Sequence, residues 1–201
     1  MASDDTAPSA RQAELLERAY QYALQHGLTE ISLRPLAAAV GSSPRVLLYL
    51  FGSKEGLLRA LLARARTEEL ALLVGLRDLA DRQQLGLQVA GEQVWSWLTA
   101  PEHRALLTLW IEGYGRSLTD PEGAWAGFAR TSVEDWLAVL AATQPPEHRD
   151  KPLALHQRTL VLAVLRGALL DLLATGDEER VTAAVRAQLS HLATYACLDA
   201  D

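Results

Sequence analysis

The sequence predicts an all-α protein of about nine helices, and three observations predict it. Leu and Ala dominate while Ile occurs only as Ile31 and Ile111, and unbranched side chains keep their rotamer freedom in a helix. No stretch alternates apolar and polar residues with the period of two that a half-buried strand requires. Apolar residues recur instead three and four apart, in blocks divided by breakers at Gly27, Gly41, Gly52, Pro101, Pro121, Pro145 with Pro146, and Gly176.

The first eight residues, polar and containing Asp4 and Asp5, read as a disordered tail. Ser9 offers an N-cap with Gln12 as its capping-box partner. Leu16, Ala19, Tyr20, Ala23 and Leu24 then form one helical face that Gly27 terminates. Two short helices follow. Ser32 caps the first, from about Leu33 to Ala39; Ser43 and Pro44 open the second, which Phe51, Gly52 and Ser53 end after about Leu50. Ser53 caps a long helix from Lys54 to about Ala80, and further helices are expected at about 83–99, 102–118, 122–143, 151–175 and 178–198.

The formal net charge of −6 argues at first against a polyanionic partner, but the charge is unevenly placed. Residues 11–66 carry eight Lys/Arg against four Asp/Glu, whereas residues 67–201 carry 11 against 19. A polyanion feels the surface within a Debye length of about 8–10 Å, so a basic front can hold one. Two solvated halves of unlike composition account for the same numbers. Cys197 is the only cysteine, which permits no internal disulfide and fits a reducing compartment. The opening MASDDTAPSA has no apolar core of a secretory signal, and the most apolar stretch, 160–174, is short and interrupted by Arg166 and Asp171. A cytoplasmic protein with no membrane attachment is expected.

The two short helices have the layout of a helix-turn-helix, whose second helix enters the DNA major groove while the first braces it. The turn needs a residue at positive φ, which Gly41 supplies. Ala37, four residues earlier, is small where the second helix crosses the first. Leu36, Val40, Leu47 and Leu50 provide the inner apolar positions. An ordinary helical hairpin within a core satisfies the same pattern.

Residues 11–58 resemble the DNA-binding module of the tetracycline-repressor (TetR) family of regulators. The resemblance rests on Phe51, Ser53, Lys54, Glu55, Leu57 and Leu58, at the family's spacing from Gly41: a recognition helix ending in an aromatic turn, then Ser-Lys-Glu opening a long helix with paired leucines. It implies a tail at 1–8, a DNA-binding domain at 9–53 and a helical effector-binding and dimerisation domain at 54–201. The implied partners are a palindromic double-stranded operator, a small-molecule effector and a second copy of the chain. The resemblance favours repression over activation.

Each matched position also has a chemical role. Ser43 can cap the recognition helix, with Pro44 in its first turn, and present its hydroxyl to a phosphate. The planar fork of Arg45 suits guanine O6 and N7 in the major groove, or a phosphate, or a surface ion pair. Lys54 stands at a helix N-terminus, where the dipole already favours anions, and suits a phosphate. Ser32 can contact the backbone similarly, with Arg34 nearby. One departure stands out. The family's phosphate-contacting tyrosine falls, by spacing from Gly41, at Leu48; Tyr49 is one residue on and so rotated by about 100°. Contact with a phosphate or thymine methyl and a place in the core are both open to Tyr49.

All five tryptophans fall between positions 95 and 136. Trp95, Trp110, Tyr114, Trp125 and Phe128, with Glu112 and His156, are candidates to line a largely apolar ligand pocket; plain core packing is the alternative for each. Residues 153–174 are apolar on nearly every face, and such a helix must be covered on every face. A two-fold interface involving Leu162, Gly167, Leu169, Val185, Leu189 and Leu192 is the expected cover. An all-α enzyme finds little support. The five histidines form no i,i+4 metal pair and no phosphate loop is present, so neither catalytic residues, metal nor cofactor is expected. A helical interaction protein that does not bind DNA is the third reading.

Overall fold

A computed structural model describes residues 9–27, 31–83 and 86–198, leaving aside the side chains of 72, 73, 76–83 and 192–198. The expected tail at 1–8 and the side chain of Leu192 lie outside the described residues. Every regular element among them is helical: α1 (Ala10–His26), α2 (Leu33–Ala39), α3 (Pro44–Phe51), α4 (Lys54–Gln83), α5 (Leu87–Thr99), a short 3₁₀ turn (Pro101–His103), α6 (Arg104–Thr119), α7 (Phe128–Ala142), α8 (Pro152–Thr175) and α9 (Glu178–Leu198). None of the described helices is long and apolar enough to cross a membrane.

Most of these ends follow from local chemistry. Ser9, Ser43 and Ser53 each accept a hydrogen bond from the backbone N–H three residues on, at 3.2, 3.3 and 3.0 Å, which satisfies one of the donors a helix start leaves open. Ser32 occupies the N-cap of α2 without making that bond. The helix expected over 122–143 is shorter. Residues 121–127 form turns, Gly127 takes φ +76°, and α7 starts only at Phe128. The buried Ser117 hydroxyl accepts the Ala129 N–H at 3.1 Å and so serves the first turn of α7 from another helix.

The chain forms two compact units, Met1–Glu68 with Thr108–Ala129, and Glu69–Leu107 with Arg130–Asp201. In the first, Leu15, Ala19, Tyr20 and Ala23 of α1 are buried, with Leu36, Ala37 and Val40 of the α2 segment, Leu47 of α3 and Leu57, Leu61 and Leu62 of α4. Burying each such Leu or Val contributes about 1.5–3 kcal/mol before entropy is counted. Ala37, the small residue expected at the α2–α3 crossing, is buried. Gly113 of α6 is filled in the same sense, since a Cβ there would stand 2.8 Å from the Trp125 ring.

The second unit is built on α5, α8 and α9, which pack against one another. Gly91 lets α5 approach closely: a Cβ on it would be 2.8 Å from a Leu189 methyl. The buried Glu69 carboxylate accepts hydrogen bonds from the Trp136 indole at 2.7 Å and the Ser132 hydroxyl at 3.1 Å, as a buried charge requires. Here the structure corrects the expected interface. Leu162, Leu169, Val185 and Leu189 are all buried within the single chain, because α5 and α9 already cover that side of α8. The face left open on α8 is another one. Leu153, His156, Leu160, Ala163, Gly167, Leu170 and Ala174 follow one another at alternating spacings of three and four, and all seven are exposed.

Candidate nucleic-acid interface

Within the first unit three attachments hold α3. Gln12 of α1 donates its side-chain amide to the Leu50 carbonyl at 2.9 Å, at the end of α3. Gln12 thus leaves the capping box expected of it and ties two helices together. Gly41 turns the chain at φ +67°, and Arg18 caps the turn by donating to the Val40 carbonyl at 3.4 Å. The third attachment is a close approach. A Cβ on Gly56 would collide with the carbonyl oxygen of Phe51, so the first turn of α4 lies directly on the last turn of α3. Sequence reasoning gave Gln12 a different role and missed Gly56; a glycine inside the first turn of a long helix, where it costs about 1 kcal/mol relative to alanine, was the available signal.

Helix α1 is fixed to α4 by a charged cluster. Arg64 donates to Glu17 at 2.8 Å, pairs with Glu68 at 3.0 Å, and lies over the Tyr20 ring at 4.6 Å from its centre. The Tyr20 hydroxyl donates to Glu68 at 2.9 Å. The Arg64 hydrogen bond, with one from Gln21, holds the Glu17 carboxyl below the usual carboxylate range. Burial, then the bond to Glu68, pushes the Tyr20 hydroxyl above its ordinary value. Because Glu17 is about half exposed, the pair adds only modest stability; its effect is to set the bearing of α1.

These attachments decide what α3 shows to solvent. Leu47 is buried, which defines the inward direction. Arg45 and Tyr49 point the opposite way, and Tyr49 is 86% exposed. A core place for Tyr49 is thereby excluded. Val46 and Leu48, at 40% and 38%, flank them as exposed apolar side chains that sequence reasoning did not assign to the interface. Ser32, Arg34, Ser43 and Lys54 are exposed and Pro44 is half-buried. Arg34 and Arg45 have no acidic partner among the described residues, so both guanidiniums are available to an anion. All these residues sit on α3 or at the starts of α2, α3 and α4 within one unit.

The aromatic candidates are divided between the two units. Trp95 and His156 belong to the second unit; Trp110, Glu112, Tyr114, Trp125 and Phe128 belong to the first. The Trp95 indole donates to Thr182 at 2.9 Å and forms part of a cleft of about 300 Å³ with Glu92, Ser96, Thr99 and Arg186, a more polar lining than expected. His156 is exposed on the open face of α8. In the first unit Trp110 and Tyr114 contact each other with ring centres 5.0 Å apart, and Trp125 is buried over Gly113. The Glu112 carboxylate lies against Gly27 at the end of α1.

Residues 15–61 match the profile of the bacterial regulatory proteins of the tetR family. A search of curated protein sequences finds no significant match. Among solved structures, the chain is similar to the multidrug binding protein EbrR complexed with proflavin, at 27% identity and a TM-score of 0.64, covering 89% of this chain and 99% of that one. It also resembles GusR of Salmonella enterica, at 20% identity and a TM-score of 0.64, over 94% of this chain and 98% of that one. A TetR transcription regulator from Haloarcula marismortui matches at 18% identity and a TM-score of 0.65, over 90% and 95%. The last two likenesses concern the fold.

The Gly56 contact yields a prediction. Gly56→Ala should cost about 1–3 kcal/mol despite alanine's higher helix propensity, since the new methyl group meets a backbone oxygen that cannot step aside. Urea unfolding measures it, and an unchanged or raised midpoint would show that α3 does not lean on α4 in this way.

Proposed function

We propose that the chain is a regulator of the TetR family, a homodimeric repressor that holds a palindromic operator and leaves it when a small, largely apolar molecule binds. The observation that carries this reading is the outward face of α3, where Arg45 and Tyr49 stand exposed directly opposite the buried Leu47. Arg45 reads a guanine there; Ser32, Arg34, Ser43 and Lys54 hold phosphates on either side and set the register. We read the protein as a cytoplasmic binding protein rather than an enzyme, with residues 9–53 engaging DNA and the remainder serving effector binding and assembly.

A second copy of the chain is the cover we assign to the open face of α8. Its exposed residues repeat every seven positions, and Leu160 and Leu170 are 43% and 51% exposed at a spacing that keeps them on one side. Gly167 has open space around its Cα, so a partner helix can approach there. Two copies related by a two-fold axis place their recognition helices about one DNA turn apart, which is why the operator is palindromic. For the effector, the Trp110–Tyr114 pair on α6, with Glu112 on the same helix and Trp125 and Phe128 after it, offers flat apolar surface beside a carboxylate. The complex of EbrR with proflavin supports a planar organic ligand for this chain. An effector that prefers the conformation with its recognition helices wrongly spaced weakens DNA binding by its differential affinity, typically about 1–3 kcal/mol.

Selection from a randomised duplex library tests the DNA reading, with a single palindromic family expected and an unenriched pool contradicting it. On the recovered duplex, Lys54→Ala should weaken binding to all sequences alike. Arg45→Ala should also erase preference at one base position, by about 1–3 kcal/mol; a variant that discriminates as well as the wild type removes Arg45 from base readout. For assembly, Gly167→Arg should give a folded monomer in sedimentation, since the site has room for the side chain within the subunit but none across a close helix crossing. A variant that sediments as a dimer would move the interface elsewhere.

A further inference from the structure

The outward face of α3 has a composition that restricts what it can read. Between Pro44 and Phe51 the only side chains able to hydrogen-bond are Arg45 and Tyr49. No Asn or Gln is present for the paired edge of adenine and no Asp or Glu for the cytosine amine. At about 100° per residue from the inward Leu47, Arg45 and Tyr49 lie about 20° to either side of the outward direction, and Val46 and Leu48 about 80° from it. Two strips result. Arg45 with Leu48 forms one; Val46 with Tyr49, three residues apart, forms the other, and both members of the second are exposed. The one group on the major-groove edge that an apolar side chain recognises is the 5-methyl of thymine.

Resting on the proposed DNA function, we infer that the Val46–Tyr49 strip reads thymine methyl groups, so that each operator half-site carries a thymine against this strip close to the guanine that faces Arg45. Four residues of helix span about 6 Å and one base step about 3.4 Å, so guanine and thymine stand within about two base pairs of one another. Val46 becomes a specificity residue, and A·T pairs in the half-site are distinguished through the methyl rather than through adenine.

The test uses the full-length protein and the duplex recovered by selection, with thymines replaced one at a time by deoxyuridine, which removes only the methyl group. At one or two positions per half-site, beside the guanine, the substitution should weaken binding roughly fourfold, the worth of one buried methyl. In Val46→Ala or Tyr49→Ala that penalty should fall below about twofold at the matching position, and in Val46→Ala salt-dependent binding to mixed-sequence DNA should stay at the wild-type level. Both side chains are exposed, so neither variant loses core packing. A recovered operator whose thymines all tolerate deoxyuridine, or a penalty that persists in both variants, overturns the inference and leaves the DNA reading standing. A library from which nothing is enriched overturns both.

Discussion

The missing side chain at Gly56 is the constraint from which the geometry of the front unit follows. With hydrogen in place of a methyl group, the first turn of α4 settles on the carbonyl of Phe51, and the end of an eight-residue helix acquires a fixed seat. A helix that short holds no stable structure in isolation, so its direction must come from its neighbours. The Ser53 cap starts α4 at that point and the Gln12 amide takes the Leu50 carbonyl from the other side. With Leu47 drawn into the core, the helix has one orientation left, and Arg45, Val46, Leu48 and Tyr49 are the side chains it presents.

The same unit shows why α1 accompanies α3. Arg64 is shared among Glu17, Glu68 and the face of Tyr20, a set of contacts that binds α1 to the third and fourth turns of α4. Helix α4 thus holds α1 through a charged cluster and α3 through a backbone contact.

Much of this was legible in the sequence, for physical reasons that differ by element. Ser9, Ser43 and Ser53 cap as expected because capping is settled within four residues, and Ala37, Val40 and Leu47 are buried because the helix-turn-helix leaves them no other side. The face of α8 was not legible. A helix apolar all round carries no directional signal, so its inward residues could be identified only once α5 and α9 were in place: of the set first assigned to the partner, Leu162, Leu169, Val185 and Leu189 are buried within the subunit, while Gly167 is exposed. Position 122–127 reads as helix by composition but turns at Gly127, where φ is positive. The aromatic residues cluster in sequence yet divide between two units, since proximity along a chain of antiparallel helices does not determine which helices enclose a side chain. Tyr49 was open between core and surface until the burial of Leu47 settled which way α3 faces.

Methylation protection on the recovered operator tests the central claim most directly, because dimethyl sulfate attacks guanine N7 on the major-groove edge that we propose Arg45 reads. The account predicts one protected guanine in each half-site, about one helical turn apart, with protection lost in Arg45→Ala at concentrations that keep the duplex fully bound. Guanines that react equally in free and bound duplex would contradict it, since α3 would then not present its outward face to the bases.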